Sequence, residues 1–172
     1  MQPFDCLESF TNEGVNKVEY KISATEAFNK YSDMVYRLAF ARVKNKYDAD
    51  DILQEVFLRF MKYTKKVNND EHTKALLIKI TINCSKSLLT SAFFKKTQPL
   101  DENISVSMPQ HDTLEAVLNL PVKYRTVIHL RYYCGYSIDE IAEILSTKPS
   151  TVKSQLHRAR EKLRTSLEGV EF

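Results

Sequence analysis

Residues 146–164, STKPSTVKSQLHRAREKLR, place the tightest constraint on this chain. Apolar residues run along them in a single thin line, Val152, Leu156, Ala159 and Leu163, at helical spacing. The remaining positions are crowded with cations and hydrogen-bond donors. Pro149 suits the first turn of such a helix, where amides have no intrahelical partner and a missing N–H loses nothing. Just upstream, Ser137 and Glu140 make a capping box for the short apolar run IDEIAEIL. Ile138, Ile141, Ala142 and Leu145 are spaced to pack on Val152, Leu156 and Leu163, and Ala142 is small where the two helices cross. A short helix, a three-residue turn and a basic second helix describe a helix-turn-helix. Its outer face, Lys148, Ser150, Thr151, Lys153, Ser154, Gln155, His157 and Arg158, offers donors suited to phosphates and base edges. The charge run alone would fit a solvated basic helix better, by roughly two to one. The capping signals and the small crossing residue favour the DNA-binding reading.

The rest of the chain reads as helix. Three glycines and five prolines are too few for an all-β sandwich or barrel, while 43% hydrophobic residues support packed cores. Net charge is +3, but residues 121–164 hold nine Lys/Arg against four Asp/Glu, so the positive charge is concentrated there. A first helix is predicted from the capping box Ser23/Glu26, with Ala27, Tyr31, Val35, Leu38 and Arg42 on one side. A second starts near Asp48, where Asp48, Asp50 and Asp51 meet the positive end of the helix dipole. Capping accounts for Asp48 in full and for Asp50 in part. A third, roughly 71–93, buries Leu76, Leu77, Ile80, Cys84 and Leu88, so the first three helices form a bundle. Asp112 and Glu115 suggest a further capped helix, Leu120-Pro121 ends it, and Pro121 opens the next at its first position, running through Tyr133.

The predicted fold is all-α, with two small helical domains joined by a flexible linker. They comprise a poorly ordered extension (1–22), a first domain (23–94), a linker (95–111) with Pro99 and Pro109, and a helix-turn-helix domain (112–168). Three widely spaced cysteines and four histidines show no metal-ligand spacing, so neither a metal, a cofactor nor a disulfide framework is expected. His111, His129 and His157 are not clustered with a nucleophile, and there is no glycine-rich phosphate loop, so no enzyme is expected. No run of 18 apolar residues and no signal-peptide order occur, which points to a cytoplasmic protein without membrane insertion.

Two stretches carry a family resemblance. LPVKYRTVIHLRYYCGYSIDEIAEILSTKPSTVKSQLHRAREKLR resembles region 4, the promoter-binding region of the extracytoplasmic-function (ECF) sigma factors of bacterial RNA polymerase. YSDMVYRLAFARVKNKYDADDILQEVFLRF resembles region 2 of the same family. The resemblance covers about residues 25–165 and implies a factor that binds core RNA polymerase and directs promoter-specific initiation. It implies docking on the polymerase clamp helices by Asp48, Asp50, Asp51, Gln54, Glu55, Phe57, Leu58 and Arg59. It further implies that Lys79, Asn83, Lys86, Lys95 and Lys96 hold the melted promoter strand. Partners implied are core polymerase, promoter DNA and an anti-sigma protein, with the free factor a monomer. Four positions depart from the family pattern. Leu76 and Ser87 stand where Trp and Asp are usual, Gln155 where arginine is frequent, and Ser146 where glycine is common in the turn. The rival readings are a stand-alone helix-turn-helix regulator and a sigma-like decoy that binds polymerase or anti-sigma protein without productive DNA contact.

Overall fold

In a computed structural model of the chain the described residues are 22–64, 67, 69–95 and 112–167, the side chains of 92–95 and 112 excepted. The expected disorder of 1–22 falls outside them except at Ile22, which is buried, and the linker expected over 95–111 falls outside them after Lys95. Seven α-helices are described: α1 (Ala24–Val43), α2 (Lys46–Phe60), α3 (Asp70–Lys95), α4 (Asp112–Asn119), α5 (Val122–Ile128), α6 (Ile138–Ile144) and α7 (Pro149–Leu167).

Helices α1, α2 and α3 pack on one another as a bundle. The Ser23/Glu26 capping box opens α1: Glu26 N–H donates to Ser23 Oγ, and Ser23 N–H to Glu26 Oε2. Helix α2 begins two residues earlier than its acids suggested. Its cap is Asn45, whose side-chain oxygen accepts from the amides of Tyr47 and Asp48, so Asp48 does not cap the helix. The bundle core holds Tyr31, Val35, Ile52, Val56, Phe60, Leu77, Ile80 and Cys84.

Helices α4–α7 make the second bundle, with α7 against α4, α5 and α6. Ile141, Ala142, Val152, Leu156 and Ala159 are buried between α6 and α7, as their spacing predicts. The Ser137/Glu140 capping box is formed, and Pro149 is the first residue of α7. Between the two helices, Thr147 N–H donates to Ala142 O (2.8 Å) and Ser146 N–H to Glu143 O (3.0 Å). This pair of bonds is a Schellman motif, and it puts Ser146 at φ +51°, the left-handed conformation that glycine adopts without strain.

The segment expected as one helix from Pro121 to Tyr133 differs in two ways. Pro121 is the N-cap, extended at ψ 143°, with its carbonyl accepting from Tyr124 and Arg125. After Ile128 the helix widens into a π-helical turn, His129–Tyr133, closed by Cys134 N–H to His129 O. Gly135, at φ +80°, turns the chain into α6.

The two bundles share a packed interface. Leu38 of α1 and Ile78 of α3 are fully buried in the same apolar cluster as Tyr124, Val127 and Leu130. Around it, Arg37 bonds the Tyr133 hydroxyl, Lys74 Nζ donates to Cys134 O (3.0 Å), and Lys44 Nζ donates to Asn119 Oδ1 (3.3 Å).

Candidate nucleic-acid interface

Helix α7 has two distinct sides. Val152, Leu156 and Ala159 hold it to the bundle, and their neighbours are left in solvent. Lys148, Ser150, Thr151, Lys153, Ser154, His157 and Arg158 are all exposed. Ser154 Oγ donates back to Ser150 O (2.9 Å), leaving its lone pairs as acceptors, and His157 Nε2 lies 3.3 Å from Glu161 Oε1. Gln155 is different. It is half-buried and turned toward α3, where it lines a cleft with Ile82, Lys86 and Leu89. Its position explains this, three residues after Val152 and four before Ala159 on the side of α7 that is buried.

On α3, Lys79, Asn83 and Lys86 recur at i, i+4 and i+7, which places them on one stripe; Asn83 and Lys86 are exposed and Lys79 is half-buried. Lys86 borders the same cleft as Gln155. Two residues expected at separate promoter elements therefore lie along one groove between the bundles. The Lys95 side chain and Lys96 lie outside the described residues. Leu76 is buried in the first core, and Ser87 is exposed.

Of the residues expected to dock on polymerase, Asp51, Gln54, Leu58 and Arg59 are exposed, and Asp48, Asp50 and Glu55 are half-buried. Phe57 is a correction. It is buried, 5.0 Å edge-on from Phe28 and packed with Phe60, so it belongs to the core and not to the surface. Glu55 accepts from Arg59 Nε at 2.5 Å, one helical turn apart. Burial and the neighbouring Asp51 raise the Asp48 carboxyl above its ordinary pKa. Residue types at this surface hid a stronger signal. Tyr47, Asp51, Gln54, Leu58 and Met61 are all exposed and spaced four, three, four and three residues apart. That spacing puts all five on one stripe along α2 and its C-cap, exposed among the described residues. Leu58 and Met61 are each more than half exposed, and Tyr47 more still.

Where the bundles meet, two arginines are buried together. Arg125 donates to Leu118 O (3.1 Å), Leu120 O (2.8 Å) and Arg42 O (2.5 Å), carbonyls at and just beyond the C-terminal ends of α4 and α1, where helix dipoles favour a cation. Arg42 donates from Nε to Ser85 Oγ and from Nη1 to Thr126 Oγ1, both at 2.5 Å. Burial, and then the charge of Arg125, lower the Arg42 pKa to about 10. Burial and Arg37 lower His129 to about 4; its ring stacks on Tyr133 at 4.9 Å and its Nε2 is buried without a partner.

Comparison with known proteins decides the family. Residues 27–92 match sigma-70 region 2, and residues 110–163 match sigma-70, region 4. The RNA polymerase sigma factor SigV of Bacillus subtilis is 35% identical over 140 residues, covering 77% of this chain and 83% of the relative. The ECF RNA polymerase sigma factor SigW of Bacillus subtilis is 31% identical over 163 residues, covering 80% of this chain and 84% of the relative. The chain belongs to the ECF sigma factors. In fold, the sigma factor is similar to RpoE from Bartonella quintana, solved with the anti-sigma factor NepR. The TM-score is 0.69 at 18% identity, over 86% of this chain and 98% of that one. It is also similar to CnrH, solved with the cytosolic domain of CnrY, at a TM-score of 0.64 and 20% identity. Among the described residues no helix is long and apolar enough to cross a membrane, and no group of three or more His, Cys, Asp or Glu could hold a metal ion.

Proposed function

We infer that this ECF sigma factor directs initiation by dividing the work between its two bundles. Helix α2 docks on core RNA polymerase through the stripe formed by Tyr47, Asp51, Gln54, Leu58 and Met61, with Glu55 and Arg59 along its flank. A partner made of paired helices would complete that heptad spacing. Helix α7 carries Ser150, Thr151, Lys153, His157 and Arg158 into the duplex at the upstream promoter element. Lys79 and Asn83 on α3 contact the separated strand. The polymerase performs the chemistry, so the factor works in the cytoplasm without catalytic residues of its own. The units 23–94 and 112–168 act as polymerase-binding and duplex-reading domains. Each offers a small DNA contact, and tethering both on polymerase supplies the effective concentration that makes them act together. An anti-sigma protein is the expected controller, and the factor alone is a monomer.

The observation that carries this reading is one molecule with two helix faces exposed among the described residues, an apolar-and-acidic stripe on α2 and a basic donor face on α7. Run-off transcription on fragmented genomic DNA with bacterial core polymerase tests it, using Leu58→Asp and Arg158→Ala as variants. Specific transcripts lost in both variants, with core binding lost only in Leu58→Asp, are the expected result. Core binding without transcripts would make the protein a decoy. Operator binding without core binding would make it a stand-alone regulator.

A further inference from the structure

The cleft between α3, α5 and α7 encloses about 710 Å³, within the size range of small-molecule sites. Its walls are apolar at Ile82, Leu89, Val122 and Leu145. Three cations border it, Arg42, Lys86 and Lys123, and among the described residues that line it there is no carboxylate. Thr90, Thr126 and Thr147 and the amide of Gln155 complete the polar residues.

Arg42 makes this arrangement more than a basic patch. It is 6% exposed, and among the described residues its side chain donates to two hydroxyls, Ser85 and Thr126, neither of which neutralises charge. Arg125 adds a second buried cation beside it, and their mutual repulsion contributes to the lowered Arg42 pKa. A buried cation without a counter-charge is costly, and an anion brought against it recovers that free energy. Arg125 donates to three carbonyls and does not line the cleft, so Arg42 is the buried cation that borders it. A single carboxylate neutralises one of the three bordering charges. A phosphate ester brings a charge of about −2 with three acceptor oxygens, and a diphosphate brings more.

We propose that this cleft is a binding site for a phosphorylated small molecule, its phosphates held by Arg42, Lys86 and Lys123 and its body lying against Ile82, Leu89 and Val122. The ligand touches α1 and α3 of one bundle and α5 and α7 of the other, so occupancy ties the bundles together. It also engages Lys86 and Gln155. The inference stands on the cleft alone and does not depend on the promoter-binding roles.

Calorimetric titration of the full chain with sodium pyrophosphate, and separately with ATP and adenosine, tests the site at ionic strength matched with sodium chloride. Saturable binding of one pyrophosphate per chain is expected, with ATP tighter than pyrophosphate and adenosine undetected. Lys123→Gln and Lys86→Gln, at exposed positions that leave folding intact, each weaken it about fivefold or more, as loss of one charged contact requires. Arg42→Gln abolishes it. Lys153→Ala, exposed on the side of α7 turned away from Gln155, leaves it unchanged. Binding that matches the chloride control, or that survives Lys123→Gln and Lys86→Gln but is lost in Lys153→Ala, would overturn the proposal. The second result would assign the anion to the DNA-reading face.

Discussion

Replacing Leu38 by alanine tests whether the two bundles are one packed unit in solution. Leu38 is fully buried, and the cluster that buries it is built mainly from α5, α6 and α7. Truncation to alanine removes three carbons, a transfer loss of about 2.4 kcal/mol at ~0.8 kcal/mol per methylene. The cavity left at a close-packed junction adds to this, giving about 3–4 kcal/mol in all. For a domain stable by about 5–15 kcal/mol, that is a large fraction of the total. An exposed leucine provides the contrast. Leu58 is 60% exposed, and Leu58→Ala changes stability by about 0.5 kcal/mol or less. Urea unfolding followed by far-UV circular dichroism and tyrosine fluorescence reports both, since the chain has nine tyrosines and no tryptophan.

Hydrogen exchange then locates the loss. If α1 and α5 share a core, Leu38→Ala speeds exchange in α5 and α6 as well as in α1. A loss of about 0.5 kcal/mol or less would refute the buried interface, because an uncovered Leu38 behaves like Leu58. Faster exchange confined to residues 24–95, with α5–α7 unchanged, would refute it equally.

Three further outcomes follow from local geometry. Ser146→Gly relieves the left-handed φ at the Schellman position and raises stability by about 1 kcal/mol, read from the urea midpoint at unchanged m-value. His129 has a folded pKa of about 4 against 6.5 unfolded, so the unfolded chain binds the extra proton between those values. Stability contributed by neutral His129 is present above pH 6.5 and is lost as pH falls toward 4, and His72, also lowered by burial, acts in the same direction. Urea midpoints of His129→Leu therefore fall less between pH 7 and pH 5 than those of the unsubstituted chain; parallel curves would rule the explanation out. On promoter DNA bound with polymerase, Lys153→Ala reduces the slope of log K against log salt by about 1, as loss of one phosphate contact requires. An unchanged slope would remove Lys153 from the backbone contacts.

What the sequence revealed, and what it hid, divides along a physical line. Signals acting within one helix or turn were legible. The capping boxes at Ser23 and Ser137, the first-turn Pro149 and the apolar line of α7 are set by neighbours a few residues away, and all are formed. Ser146 was legible as an oddity, and its positive φ supplies the reason that glycine suits the turn. Asn45 was missed because the acids after it offered a competing start for α2. The π-helical turn at His129–Tyr133 was missed because its residues carry no distinguishing pattern.

Contacts between the bundles were illegible for a different reason. Periodicity reports that a position is buried, not which of two neighbours buries it. Leu38 and Ile78 fit the stripes of α1 and α3, yet they face the second bundle. Thr81 and Ser85 are polar yet buried, and each hydroxyl donates to a carbonyl of its own helix, Leu77 O and Ile82 O. With α3 covered on both sides, polar residues flanking its stripe come to line a groove instead of facing open solvent. Arg42 carried the visible warning, a cation in the apolar line of α1. Gln155 carried the same warning on α7, since its spacing from Val152 and Ala159 puts it on the packed side. A polar residue at core spacing marks where a second packed surface begins. Here two such residues, on helices from opposite ends of the chain, border the same cleft.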